Sequence, residues 1–148
     1  MLVLDPDLVR TRITATVPVF KFVGLAADLG KVTAKSVIYP SAYVVPLGET
    51  AGENRYQMGD VIEQTIVARI AVIMAVRDLA DRSGAAAATS LKPLREALML
   101  SLGAYVPIPG EEALRFARGA LQSGIDATAA LFWQDDYTLR FTRRIQIT

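Results

Sequence analysis

The 148-residue chain contains no cysteine and no histidine. The first absence removes disulfides, thiol nucleophiles and iron–sulfur ligation. The second removes the commonest general base, the commonest metal ligand and the usual switch near neutral pH. Any catalysis would fall to Asp, Glu, Lys, Tyr, Ser or Thr. Charge of one sign is lacking too: 16 Lys and Arg stand against 15 Asp and Glu, a net of +1. No global field is available to grip nucleic acid or an anionic membrane. Long apolar runs are also missing. The most apolar stretch, Ile66–Val76, has Arg69 inside it and falls well short of the roughly 20 residues of a spanning helix. Met1–Leu4 is apolar, but Asp5 and Asp7 follow at once and no basic residue precedes it, so no signal peptide is evident. A soluble chain with no membrane partner, no metal and no cofactor is expected, and the balance tilts toward a binding or structural protein.

What is present suffices for a core. Apolar residues make up 52% of the chain and charged ones 21%, which fits one folded domain over residues 1–148. Asp5-Pro6 is a good helix start, an acceptor for free backbone N–H groups followed by a ring suited to the first helical position. Val9, Ile13 and Val17 then recur on one stripe, and Pro18 forbids continuation, so a helix is expected over Pro6–Thr16. Val19–Val23 reads as a short strand ended by Gly24, Leu25–Leu29 as a helical turn, and Ala42–Leu47 as a strand with Pro46 near its end or at an edge. Gly48–Asp60, with three glycines and no apolar run, reads as a long loop of the kind that carries function.

Val61–Arg77 is the longest patterned stretch. Alternation at period two and β-branched content favour a strand. Its charges lie on one face, which also carries Val67, Ala71, Ile73 and Ala75. Such length implies that part of the strand projects beyond the domain body. Asp78–Ser90 reads as a linker whose Ala85–Ala88 run can fray into the next helix, with Ser90 capping a segment through Leu91, Leu94, Ala97, Leu98 and Leu102 that Gly103 stops. Glu111–Gln122 reads as a turn and a strand, Ala127–Gln134 as a strand, Asp135-Asp136 as its turn, and Tyr137–Ile147 as the last strand. The sum is an α+β fold: a mostly antiparallel β-sheet with helices packed on one face, the other face solvated or covered by another chain.

Few constellations carry chemistry. Gly24 to Lys31 faintly resembles a phosphate loop, but its glycines are too far apart by one residue and Val32 stands where a magnesium-ligating hydroxyl belongs. The acid pairs Glu111-Glu112 and Asp135-Asp136 read as solvated turns rather than catalytic dyads. Arg140, Arg143 and Arg144 form either a solvated strand face or an electropositive stripe toward an acidic partner or a phosphate track. Trp133, Tyr137 and Phe141 suit core packing better than base stacking, and Trp133 and Tyr137 equally suit interface anchoring.

Four blocks in order carry a resemblance. They are Ala42-Tyr-Val-Val-Pro-Leu-Gly-Glu49 with the polar Gly52-Glu53-Asn54; the long strand ending Ala75-Val76-Arg77-Asp78; Leu91-x-x-Leu94-Arg95-x-Ala97 with Leu102-Gly103-Ala104-Tyr105-x-Pro107; and Phe132-Trp133-Gln134-Asp135-Asp136-Tyr137. Together they span about Ala42–Phe141 and resemble phage tail terminator proteins. Ala104-Tyr105 stands where Gly-Trp is expected, which keeps an aromatic. The resemblance implies a non-enzymatic α+β subunit that forms a hexameric ring with copies of itself. It implies that the ring caps the tail tube, stops its polymerisation and offers a surface to the head-completion complex, while DNA passes through the channel without sequence-specific binding. The location implied is the head-proximal end of the virion tail, and the host cytoplasm during assembly. A neck or stopper subunit, or a tail-tube-like protein, is the alternative; a small carboxylate enzyme and a nucleic-acid-binding module are the more distant ones. On the ring reading, the subunit or partner interface is expected on Glu49, Glu53, Asn54 and Arg55 of the loop, on Arg69, Ile73 and Arg77 of the long strand, and on Trp133, Tyr137, Arg140, Arg143 and Arg144 near the C-terminus.

Overall fold

Helix α1 (Pro6–Thr16) forms where the sequence places it: the Asp5 carboxylate accepts the Asp7 N–H at 2.9 Å, and Pro6 occupies the first turn. The structure, a computed structural model, describes residues 2–32, 36–56, 59–77, 85–123 and 130–147. After α1 come β1 (Phe22–Leu25), α2 (Ala26–Lys31), β2 (Ser41–Ala51), β3 (Val61–Arg77), α3 (Ala85–Leu102), β4 (Arg115–Ser123) and β5 (Ala130–Gln146). The five strands make one sheet in the order β1-β2-β3-β5-β4. Only β1 and β2 run parallel; every other pair is antiparallel. The α+β reading holds.

The core forms on one face of the sheet. Ile66, Ala68, Ile70, Val72, Met74 and Val76 alternate along β3 and are all buried. Ala42 and Val44 of β2 flank them on one side, and Leu139, Phe141 and Tyr137 of β5 on the other. Val9 and Ile13 of α1 and Leu91, Leu94, Leu98 and Leu102 of α3 close this layer. Each large side chain so buried stabilises the fold by about 1.5–3 kcal/mol before entropy is counted.

Helix α2 departs from the expectation that helices share one face. Phe22 and Tyr43 lie on the far face with Ile73, and Asp28, Lys31 and Val32 line a hollow against them. A parallel pair cannot be joined by a tight hairpin, so the chain must cross over the sheet between β1 and β2. Gly24 lies inside β1 rather than ending a strand. A Cβ there would sit 2.7 Å from the Phe22 ring and 2.9 Å from Asp28, so only glycine allows this approach.

Three further boundaries differ. Strand β2 continues through Gly48 to Ala51 instead of opening a loop at Gly48, because a bulge between Pro46 and Gly48 absorbs the residue that would break the ladder. Gly48 takes a φ of 140° there. Helix α3 begins at Ala85, so Ser90 is not its cap and Pro93 lies in its interior; alanines propagate a helix readily enough to carry it through the proline. Residues 78–84 of the expected linker lie outside the described residues. The largest difference is at Asp135-Asp136, which is no turn: β5 runs through both.

Leu98 is fully buried between α3 and the sheet. Leu98→Ala is expected to lower unfolding stability by about 2–5 kcal/mol in chemical denaturation.

Candidate assembly surface

Beyond the helices the sheet extends as a three-stranded arm. Strand β1 pairs β2 only from Ser41 to Val44, and β4 pairs β5 only from Phe132 to Thr138. Strand β3 meanwhile pairs β5 over its whole length, from Val61 with Gln146 to Arg77 with Ala130. Among the described residues, the outer half of β2 and of β5 therefore presents strand edges with no neighbouring strand. β2 is exposed from Pro46 onward.

The arm's tip is held by polar contacts rather than by a core. Gly52 donates its N–H to the Thr65 carbonyl at 2.8 Å, and Arg55 its N–H to the Glu63 carbonyl at 2.9 Å. The Asn54 side chain accepts the N–H groups of Glu63 at 2.8 Å and Tyr56 at 3.3 Å and donates to the Tyr56 carbonyl at 2.7 Å. An asparagine closing its own turn in this way replaces ladder bonds where the strand ends. The Glu63 carboxylate lies between two arginines, Arg55 at 2.9 Å and Arg144 at 3.0 Å. On the opposite face Arg143 pairs with Glu49 at 2.7 Å and donates to the Leu2 carbonyl at 2.6 Å, which ties the N-terminal residues to the arm. Five residues expected at the interface, Glu49, Asn54, Arg55, Arg143 and Arg144, thus have partners within the chain.

The second face of the sheet is unevenly covered: Ala71 and Ala75 of β3 are fully buried, while other positions are not. It carries Val67, Arg69, Ala71 and Ile73 from β3, with Gln134, Asp136, Thr138 and Arg140 opposite them on β5. Val67 and Ile73 are half-buried; Arg69 and Arg140 are exposed. Neither arginine forms an ion pair among the described residues. Arg118 of β4 lies 3.7 Å from Asp136 on this face. Arg77, at the strand's end, stacks its guanidinium 4.4 Å from the Tyr39 ring.

Trp133 and Tyr137 point the other way, toward the helices. Between them Asp135 is fully buried, its carboxylate receiving the Arg95 guanidinium at 2.9–3.1 Å and the Trp133 Nε1–H at 2.8 Å. The same Arg95 lies 4.7 Å over the Trp133 ring. Two residues apart on one strand share a face, so Trp133 can reach its own neighbour's carboxylate. Gly119 opposite leaves the room: a Cβ there would meet Asp135 Oδ1 at 2.7 Å and Arg95 at 2.9 Å. Tyr137 does not reach the surface; it is buried, edge-on to Phe116 with ring centroids 5.8 Å apart. The alternation Leu131, Trp133, Tyr137, Leu139, Phe141, read straight through the acids, is the signal that would have placed Asp135 inside.

Among the described residues the hollows bring together no converged set of catalytic groups. A cleft of about 670 Å³ between α3 and the β1–β2 side is lined by Lys21, Tyr39, Arg77, Ser90 and apolar residues, with no acid among the described residues. A second, of about 610 Å³ between α3 and β4, has one acid among the described residues, Glu96, which lies 3.8 Å from Lys92. No group of three or more metal-ligating side chains occurs among the described residues. Among the described residues the sheet offers a partly covered face, unpaired strand edges and an arm braced by polar contacts. The model of the family described as "Phage tail terminator protein" matches residues 1–148, and the chain belongs to that family. The family is structural and non-enzymatic, which makes the chain a component of the phage tail in the virion. A comparison with curated proteins found no significant match.

Two substitutions test the buried cluster. Asp135→Ala strands the Arg95 charge and the indole N–H and is expected to cost about 3–5 kcal/mol of stability in denaturant titration. Tyr137 is different: its hydroxyl has no hydrogen-bond partner among the described residues, and burial first, then the Asp135 charge, pushes its pKa up. Folding therefore favours the neutral phenol. Its contribution is complete below the unfolded value near pH 10 and is lost as pH rises toward the folded one. Tyr137→Phe is expected to keep neutral-pH stability within about 1 kcal/mol and to flatten the fall in stability above about pH 10 in alkaline melting curves.

Proposed function

We propose that this chain is the ring-forming subunit that caps the phage tail tube. The ring, of six copies, stops tube polymerisation at the head-proximal end and presents the surface to which the head-completion complex attaches; DNA then traverses its channel without base-specific contacts. Assembly takes place in the host cytoplasm. The family match over residues 1–148 carries the reading. The sheet supports it physically: Val67 and Ile73 are incompletely covered on a face that also bears Arg69 and Arg140, and head-to-tail contacts that close generate rings.

On this reading the subunit interface comprises the second face of β3 and the arm from Glu49 to Arg55, with Arg140 and Arg144 alongside. Arg77 and the edge of Trp133 lie nearer the ends of the sheet and serve partners other than the lateral neighbour.

Deleting the gene for this chain is expected to yield tubes of abnormal length that do not join heads, scored by electron microscopy of lysates. Tails of normal length joined to heads would overturn the reading. Ile73→Asp, or removal of residues 52–56, is expected to give a folded chain by circular dichroism that fails to restore normal tails. Restoration by both variants would show that the interface lies elsewhere.

A further inference from the structure

Among the described residues, the arm's tip and the second face of the sheet each carry charges without an ion pair, and the two sets have opposite signs. At the arm's tip Glu53 and Asp60 are exposed, and their carboxylates make no hydrogen bond or ion pair among the described residues. Arg55 and Arg144 share the single carboxylate of Glu63, so the tip's described acids Glu53, Asp60 and Glu63 outnumber these two arginines by one and the tip stays net negative. On the second face of the sheet Arg69 and Arg140 are exposed and likewise form no ion pair. Arg140 is directly opposite Val67, two residues from Arg69 along β3, so the two cations flank one half-buried valine. Glu111 and Glu112 border Arg140 from the loop before β4, but Glu111 accepts the Thr142 N–H at 3.3 Å and Glu112 lies 3.9 Å from Arg115.

We propose that the arm tip of one copy seats on the second sheet face of the next, Glu53 and Asp60 facing Arg69 and Arg140 around Val67. The occupant is a second copy of this chain, and the proposal rests on the ring reading above. The contact uses different patches on the two partners, so it is heterologous and propagates in one direction, as ring closure requires. The tip is braced by backbone bonds from Gly52 and Arg55 and by Asn54, so little ordering entropy is lost on docking. A polyanion is the poorer occupant. On this face the described cations without an ion pair are Arg69 and Arg140, Val67 lies between them, and the net negative tip would repel phosphate.

The test is charge reversal with rescue, in phage lacking the gene and supplied with variants of the full chain. Arg69→Glu with Arg140→Glu, and separately Glu53→Lys with Asp60→Lys, are each expected to fold normally by circular dichroism. Each is expected to lower plaque titre by about 100-fold or more, since like charges then face each other at every junction. Co-expression of the two double variants, or one chain carrying all four changes, is expected to return the titre to within a few-fold of wild type. Mixed rescue works because alternating copies restore opposite charges at both kinds of junction. Full activity of either double variant alone, or failure of both combinations to rescue, would overturn the docking. If the unmutated chain itself failed to restore normal tails, the terminator reading would fall instead, which keeps the two failures apart.

Discussion

Everything in this structure hangs on β3 being apolar on both faces. A strand of this length that alternates greasy and polar residues needs only one partner layer. Here Ile66 through Val76 on one face are buried by α1 and α3, yet Val67, Ala71 and Ile73 face the other way. Strands β2 and β5 satisfy the backbone of β3 on both sides, so the strand is fixed in place whether or not its second face is covered. α2 covers only the end near Tyr43. The remainder holds the buried Ala71, the half-buried Val67 and the exposed Arg69 and Arg140, and on the proposed ring reading it is the surface that a neighbouring copy covers.

The arm follows from the same constraint. Because β3 and β5 stay paired beyond the helices, the sheet outruns its own hydrophobic core, and the outer half must be held by polar bonds. Glu63 between Arg55 and Arg144, Asn54 at the turn, and Arg143 against Glu49 and the Leu2 carbonyl perform that task. Exposed ion pairs of this kind contribute little each. Their value is geometric, since together they hold an outlying hairpin in one shape. The buried Arg95–Asp135–Trp133 cluster works similarly at the other end, locking α3 to β5 across the sheet.

Much of this was legible in the residues. The bounds of α1 and β3 follow from local signals alone, a capped proline start and a strict period of two. Where reading failed, a distant partner had decided the outcome. Two adjacent aspartates signal a turn by propensity, but Asp135 is neutralised by an arginine forty residues earlier in the chain, and no local rule sees that. Gly48 signals a loop, but the bulge beside Pro46 turns it into a ladder residue. Of the expected interface residues, Arg69, Arg140 and Glu53 are free to act between chains, whereas Tyr137 serves the core.

The central claim is that the second face of this sheet is covered by a neighbouring copy in the assembled tail. Electron cryomicroscopy of the head-proximal tail end tests it most directly. The expected map has a ring of these chains in which Val67, Ile73, Arg69 and Arg140 of each copy are buried by the arm of the next. A ring in which that face lines open solvent or the channel, with neighbours joined elsewhere, would contradict it.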